Sequence, residues 1–190
     1  MFTIREPSPT TVDKFLRQAK GHAFSYSEVG LTRGGDSAGY TVDHNRVTLG
    51  AGPRVFRDAV SALRAWQMFN LGWVRVFPRD APITVGTTVV VVIRHFGFWS
   101  MNASRIIYLI EEDQRLGFAY GTLSHQHAEQ GEERFSVEWN SESDLVTYDL
   151  LAFSRPQEWQ AKVALPVVRR LQRKFARDSM EAMVRAVSSE

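Results

Sequence analysis

Cysteine is absent from this 190-residue chain, and that absence removes several chemistries at once. Disulfides, cysteine-ligated zinc and thiol nucleophiles are all excluded. A cysteine-free chain fits a reducing compartment, so a cytoplasmic location is expected. Long apolar runs are also missing. The longest, Val89 to Ile93, is far short of the roughly 20 residues of a membrane helix, so no membrane span is expected. The start, Met1-Phe2-Thr3-Ile4-Arg5-Glu6-Pro7, has no basic stretch leading into an apolar run and does not read as a secretory signal. Charge of one sign is scarce, the net value being +2. With so weak a basic bias and no interleaved aromatic motif, nucleic acid is not an expected partner. Arg169, Arg170, Arg173, Lys174 and Arg177 do cluster late, and a solvated helix face accounts for them. The glycines at 30, 34, 35 and 39 lack the spacing of a phosphate-binding loop. No nucleophile elbow, Ser-His-Asp order or glycosidase-like carboxylate pair can be argued from spacing.

What remains is a chain rich in flat, rigid side chains, with 12 Phe, 5 Trp and 5 Tyr at 44% hydrophobic content. This is material for one domain, residues 1–190, with a sizeable core or a cavity. Val12, Phe15, Leu16 and Ala19 form the apolar face of a helix over about Thr11 to Ala19, capped by Thr10 or Thr11. A strand over Arg46 to Leu49 ends at Gly50-Ala51-Gly52-Pro53. A second helix then runs to about Phe69, with Phe56, Ala59, Val60, Leu63 and Trp66 on its buried side. From Trp73 the period becomes strand-like, over Val74–Phe77, Val85–Phe96, Ser104–Glu111, Gly117–Leu123, Glu133–Trp139 and Leu145–Phe153. The short separators permit antiparallel neighbours and not helical crossovers. After Pro156 a long helix is expected from about Glu158 to Val187. Leu171 and Phe175 lie on its apolar stripe, which continues through the small residues Ser179, Ala182 and Ala186. Those small residues either leave room for a cavity or let the helix sit close on the sheet. The fold class is α+β: a curved antiparallel sheet of about six to seven strands wrapped around a long C-terminal helix.

Two stretches have the residue types for chemistry. In His125-Gln126-His127-Ala128-Glu129 an extended backbone would point His125, His127 and Glu129 the same way, as a metal would need. A hairpin loop with exposed histidines is the alternative, and no metal or organic cofactor is expected. In Glu133-Arg134-Phe135-Ser136-Val137-Glu138-Trp139 the Phe-Val-Trp face must be buried, which puts Glu133 on the inward side. There burial would raise its pKa into a range suited to proton transfer. The alternative is an ion pair with Arg105 or Arg155. Tyr108, Tyr120 and Tyr148 sit in strands and can present hydroxyls to a pocket. Ala119 and Gly121 leave the face opposite Tyr120 open to close approach by backbone, ligand or helix.

Gly117-Phe118-Ala119-Tyr120-Gly121-Thr122-Leu123, followed by Gly131-Glu132-Glu133-Arg134-Phe135, resembles the signature of the DUF1990 (UPF0548) family. Leu49-Gly50-Ala51-Gly52, Phe153-Ser154-Arg155-Pro156 and Pro166 with Arg169 and Gln172 are similar to further parts of that pattern. The loop at Ser124–Ala128 departs from the family's usual P-G-H-P, and Ser104 stands where relatives often have cysteine. The resemblance implies a helix-grip architecture like that of START and polyketide-cyclase-like (SRPBCC) domains, and no activity. On that architecture the expected function is binding of a small apolar molecule between sheet and last helix. Phe96, Phe98, Trp99, Tyr120, Leu171 and Phe175 would line the cavity, with Glu133 and Arg155 as polar contacts. A cofactor-independent cyclase or isomerase with Glu133 or His125 as base is the alternative. Nothing in the sequence specifies the oligomeric state.

Overall fold

A computed structural model describes residues 2–35, 38–124, 129–156 and 165–188. Seven strands form one antiparallel path: β2 (Thr41–Ala51), β8 (Leu145–Pro156), β7 (Glu129–Trp139), β6 (Arg115–Thr122), β5 (Phe98–Glu112), β4 (Thr88–His95) and β3 (Val74–Phe77). A two-residue β1 (Phe2–Thr3) adds to β5. All the pairings are antiparallel, as the short separators require. Register shifts between Thr48 and Gly50 in β2 and between Ile106 and Tyr108 in β5 mark β-bulges. Bulges bend and twist the strands that carry them, and so help curl the sheet into a half-barrel.

The concave side of that curl holds the main core. Phe118 and Phe135 stack at 5.3 Å, and Trp66 and Phe69 pack on them. The helix α2 (Gly52–Arg64) starts with Pro53 in its first turn, where a missing N–H has no cost. It ends earlier than the apolar spacing predicts. Trp66 adopts φ +55°, and a separate 3-10 turn at Gln67–Phe69 carries Met68 and Phe69 into the core. The indole N–H of Trp66, buried, donates to the Ala81 carbonyl at 2.8 Å.

The last helix, α3 (Leu165–Ser188), lies across the concave side and is tied to both edges of the sheet path. At the β2 edge Arg169 donates to Asp43 at 2.7 Å. At the other edge the Trp73 indole, just before β3, donates to Asp178 at 2.8 Å while Lys174 sits 4.1 Å over the same ring. Arg177 pairs with Asp178 and lies near Glu181, so much of the late basic cluster is an ion-paired helix face. Residues 157–164, where the sequence predicts the first turns of this helix, fall outside the described residues.

The convex side is covered as well, so both faces of β7 are buried. The helix α1 (Pro9–Ala19) packs Val12, Phe15 and Leu16 against Val90, Val92, Met101 and Ala103. Its cap is Ser8, whose hydroxyl accepts from the Thr11 amide, rather than Thr10 or Thr11. The segment after α1 covers β6 to β8. Tyr26 donates to Glu132 at 2.9 Å, as do the amides of Gly30 and Thr32 at 2.7 and 3.0 Å.

Candidate functional site

The register of four adjacent strands creates the site. Asp43 of β2 lies opposite Ala152 of β8, Ala152 opposite Glu133 of β7, and Glu133 opposite Tyr120 of β6. The next row on the same face is Asn45, Leu150, Phe135 and Phe118, which fills its space with bulk. Ala152 has only a methyl group, so the Asp43-to-Tyr120 row leaves a hollow. Leu171, Gln172, Phe175 and Ala176 of α3 roof it, and Phe69 and Trp73 close its side. The hollow is partly open and holds about 210 Å³.

Glu133 and Tyr120 form one unit. The tyrosine hydroxyl donates to Glu133 Oε2 at 2.7 Å, while Oε1 of Glu133 has no hydrogen-bond partner among the described residues. The Glu133 side chain is half-buried and lines the cavity. Burial pushes the Glu133 pKa up; the Tyr120 hydrogen bond opposes that shift and the nearby Asp43 adds to it. Burial, followed by the charge of Glu133, pushes the Tyr120 hydroxyl well above its usual range. Neither Arg105 nor Arg155 pairs with Glu133. Arg105 donates to the carbonyls of Ala19 and Lys20 and to Thr88, and Arg155 donates to Gln130 at 3.0 Å and lies over the Tyr40 ring.

A second polar patch lies on β4 and β5. His95 Nε2 is 3.3 Å from Ser100 Oγ, which also accepts from the Asn102 amide at 3.2 Å. Burial pushes the His95 pKa down and favours the neutral ring.

Of the sequence-predicted lining, Tyr120, Glu133, Leu171 and Phe175 converge on this cavity. Phe96, Phe98, Trp99 and Arg155 lie outside its lining. Phe96 turns the β4–β5 hairpin with φ +49° and is 64% exposed, and Phe98 is 48% exposed. Trp99 faces the α1 side of the sheet, near Arg75 and Arg94. His125 and His127 lie outside the described residues, as does the side chain of Glu129. Among the described residues no three His, Asp or Glu side chains converge as metal ligands.

The other two tyrosines go elsewhere. The β5 bulge turns Tyr108 to the convex side, where its hydroxyl lies 2.6 Å from Thr32 Oγ1. Tyr148 is fully buried, and its hydroxyl lies 2.9 Å from Ser179 Oγ on α3. The small residue at 179 therefore serves close contact, whereas the room for the cavity lies nearer the start of the helix.

Sequence reasoning missed Asp43, Ala152, Phe69 and Trp73. Asp43 and Ala152 required the β2–β8 register. Apolar spacing alone places Phe69 at the end of a continuous helix and Trp73 at a strand start.

Comparison with known proteins gives the family and the fold. The family model described as "Domain of unknown function (DUF1990)" matches residues 25–182. A UPF0548 protein of Dictyostelium discoideum is 35% identical over 100% of this chain and 97% of its own length. One from Deinococcus radiodurans is 36% identical over 98% of each chain. Among solved structures, a hypothetical protein of Helicobacter pylori superposes with a TM-score of 0.55 at 13% identity, covering 85% of this chain and 94% of the other. Truncated norcoclaurine synthase from Thalictrum flavum gives 0.50 at 11%, covering 83% and 99%. Similarity at this level shows the helix-grip fold alone. No described helix is long and apolar enough to cross a membrane. By family model and by relatives spanning its length, the chain belongs to the DUF1990 (UPF0548) family.

Proposed function

We propose that the chain, acting as one domain in the cytoplasm, binds a small and mostly apolar molecule between the concave sheet face and α3. Tyr120, Glu133, Leu171 and Phe175 are its contacts, and Arg155 acts at the rim through Gln130. The observation that carries this reading is the unfilled hollow of about 210 Å³ over Ala152, beside the filled row of Leu150, Phe135 and Phe118 and continuing over the small residues Gly131 and Ser154. Interiors otherwise pack with few voids larger than a water, so a protein keeps such space at a cost in stability. An apolar cavity of about 150 Å³ suffices for benzene, which sets the scale at one ring with a short substituent.

A second reading, proton transfer without a cofactor, is favoured by Glu133. Its raised pKa and its place in the cavity lining are what a general base needs. His125 stays a candidate base on the sequence alone. The synthase among the structural neighbours adds only that a fold of this kind is found in an enzyme.

Native mass spectrometry of freshly purified protein is the test. A small-molecule adduct released by organic extraction is expected. An adduct retained in the same proportion by Ala152→Leu, which fills the hollow, overturns the binding reading. Once the molecule is identified, Glu133→Gln that retains it but loses its conversion would favour the catalytic reading.

A further inference from the structure

We infer that the molecule received by this cavity is a cation: an ammonium group on an apolar body of about one ring, seated over Ala152 with its charge against Glu133. The inference rests on the binding reading above and adds the charge of the ligand.

The ground for it is how the inward and buried carboxylates of this protein are compensated. Asp149 is held by Arg134 at 2.9 Å, by His44 at 2.6 Å and by Arg46. Asp178 has Lys174 and Arg177. Glu132, on the opposite face, receives hydrogen bonds from Tyr26, Gly30 and Thr32. Asp43, beside the cavity, has Arg169. Glu133 alone in this set faces a cavity with one neutral donor, the Tyr120 hydroxyl, and one bare oxygen.

Among the described residues no lysine or arginine lines the cavity. The groups that bear on Glu133 are Tyr120 on β6, Asp43 on β2 and Tyr148 on β8, and the described lining also holds His95 on β4, whose pKa burial pushes down; none of these is a fixed cation at neutral pH. Of the cations on α3, Arg169 is committed to Asp43 and Gln172, and Lys174 to Asp178 and the Trp73 ring. An enclosed carboxylate without a counter-charge is costly. A neutral guest leaves that cost in place, an anion adds repulsion, and a cation relieves it.

Geometry gives the charge a seat. Glu133 and Asp43 are two strands apart, roughly 10 Å by strand spacing, and only the Ala152 methyl stands between them in the row. A primary ammonium over Ala152 can donate to Oε1 of Glu133 and keep its remaining protons toward Asp43. Phe69 and Phe175 in the walls bring aromatic rings to the apolar body, while the Trp73 ring already carries Lys174.

The test is titration calorimetry with three probes of one size: 2-phenylethylammonium, 2-phenylethanol and phenylacetate. Near neutral pH the amine is expected to bind about tenfold or more tightly than the alcohol, with phenylacetate weakest. Glu133→Gln is expected to bring the amine to the level of the alcohol and leave the alcohol unchanged, with near-ultraviolet circular dichroism checking the fold. Amine affinity in the wild-type protein is expected to fall as pH is lowered and Glu133 takes up its proton, while the alcohol stays level. Repeated in His95→Gln, which removes the imidazole of the described lining, this pH series decides the matter even if Glu133→Gln does not fold. An alcohol that binds as well as the amine, a preferred carboxylate, or a pH-independent amine affinity overturns the cationic assignment and leaves the binding reading standing. Failure of all three probes to bind folded protein overturns both.

Discussion

Glu132 and Glu133 are neighbours in sequence that meet opposite fates, because successive side chains of a strand point to opposite faces. Glu132 is 1% exposed, yet it gathers Tyr26, Gly30 and Thr32 around its two oxygens. It fastens the segment after α1 to the sheet. Replacing it with Gln turns an amide NH₂ toward at least one of those donors. Glu132→Gln is therefore expected to cost about 2–4 kcal/mol, read as a lowered denaturation midpoint in guanidinium chloride with an unchanged slope. Glu133→Gln should do the reverse. Burial holds the Glu133 proton more tightly in the folded protein than in the unfolded chain, where a Glu titrates at about 4.3. Wild-type stability therefore declines as pH rises from that value through the folded pKa, and below it the penalty is absent. The Gln variant escapes the penalty and still accepts from Tyr120. It is expected to match wild type in acid and to melt higher near neutral pH. A variant less stable than wild type at neutral pH would show that the ionised carboxylate is stabilised by its surroundings.

At the level of elements, α3 is held by fully buried polar contact as well as by its apolar stripe. Tyr148 and Ser179 are both 0% exposed and hydrogen-bonded to each other. Ser179→Ala leaves a buried phenol without a partner and is expected to cost about 1–3 kcal/mol. The double variant Tyr148→Phe/Ser179→Ala removes both partners and should recover part of that loss, which a double-mutant cycle in chemical denaturation measures. A strictly additive cycle would remove this contact as an anchor of the helix. This seat illustrates what was legible in the sequence and what was not. The strand series from Val74 to Phe153 and the amphipathic last helix follow from period alone, because a one-sided core imposes it. Glu133 was placed inward by the same rule. Tyr108 shares the strand setting of Tyr120 and is expected at a pocket too, but a bulge at Ile107 turns it to the convex side and leaves no local trace. Gly121 shows the same limit. The open face was read correctly, but a Cβ there would lie 2.1 Å from the Tyr26 hydroxyl, so a distant loop and not a ligand occupies the gap. Phe96 and Phe98 are expected among the lining residues, and the hairpin turn that exposes them is a property of the β4–β5 pairing.

For the molecule as a whole, the question is whether the cavity is a flaw in packing or the site of function, and the two make opposite predictions about filling it. Ala152 is the one small residue in the row Asp43, Ala152, Glu133 and Tyr120. Leucine there adds three carbons to a space of about 210 Å³, each worth about 0.8 kcal/mol if buried without strain. Part of that gain is lost to imperfect fit, so Ala152→Leu is expected to raise the melting temperature by about 2–6 °C for a chain of this size. It should weaken binding of 2-phenylethanol by about tenfold or more. The alcohol is the right probe because its affinity does not depend on the charge of Glu133, so the result concerns space alone. Stabilisation together with lost binding identifies room for a ligand as the property kept at the expense of packing, the trade that functional sites commonly make. Stabilisation with binding intact would move the ligand elsewhere on the molecule. Destabilisation with lost binding would mean that the α3 roof cannot yield by the width of a side chain.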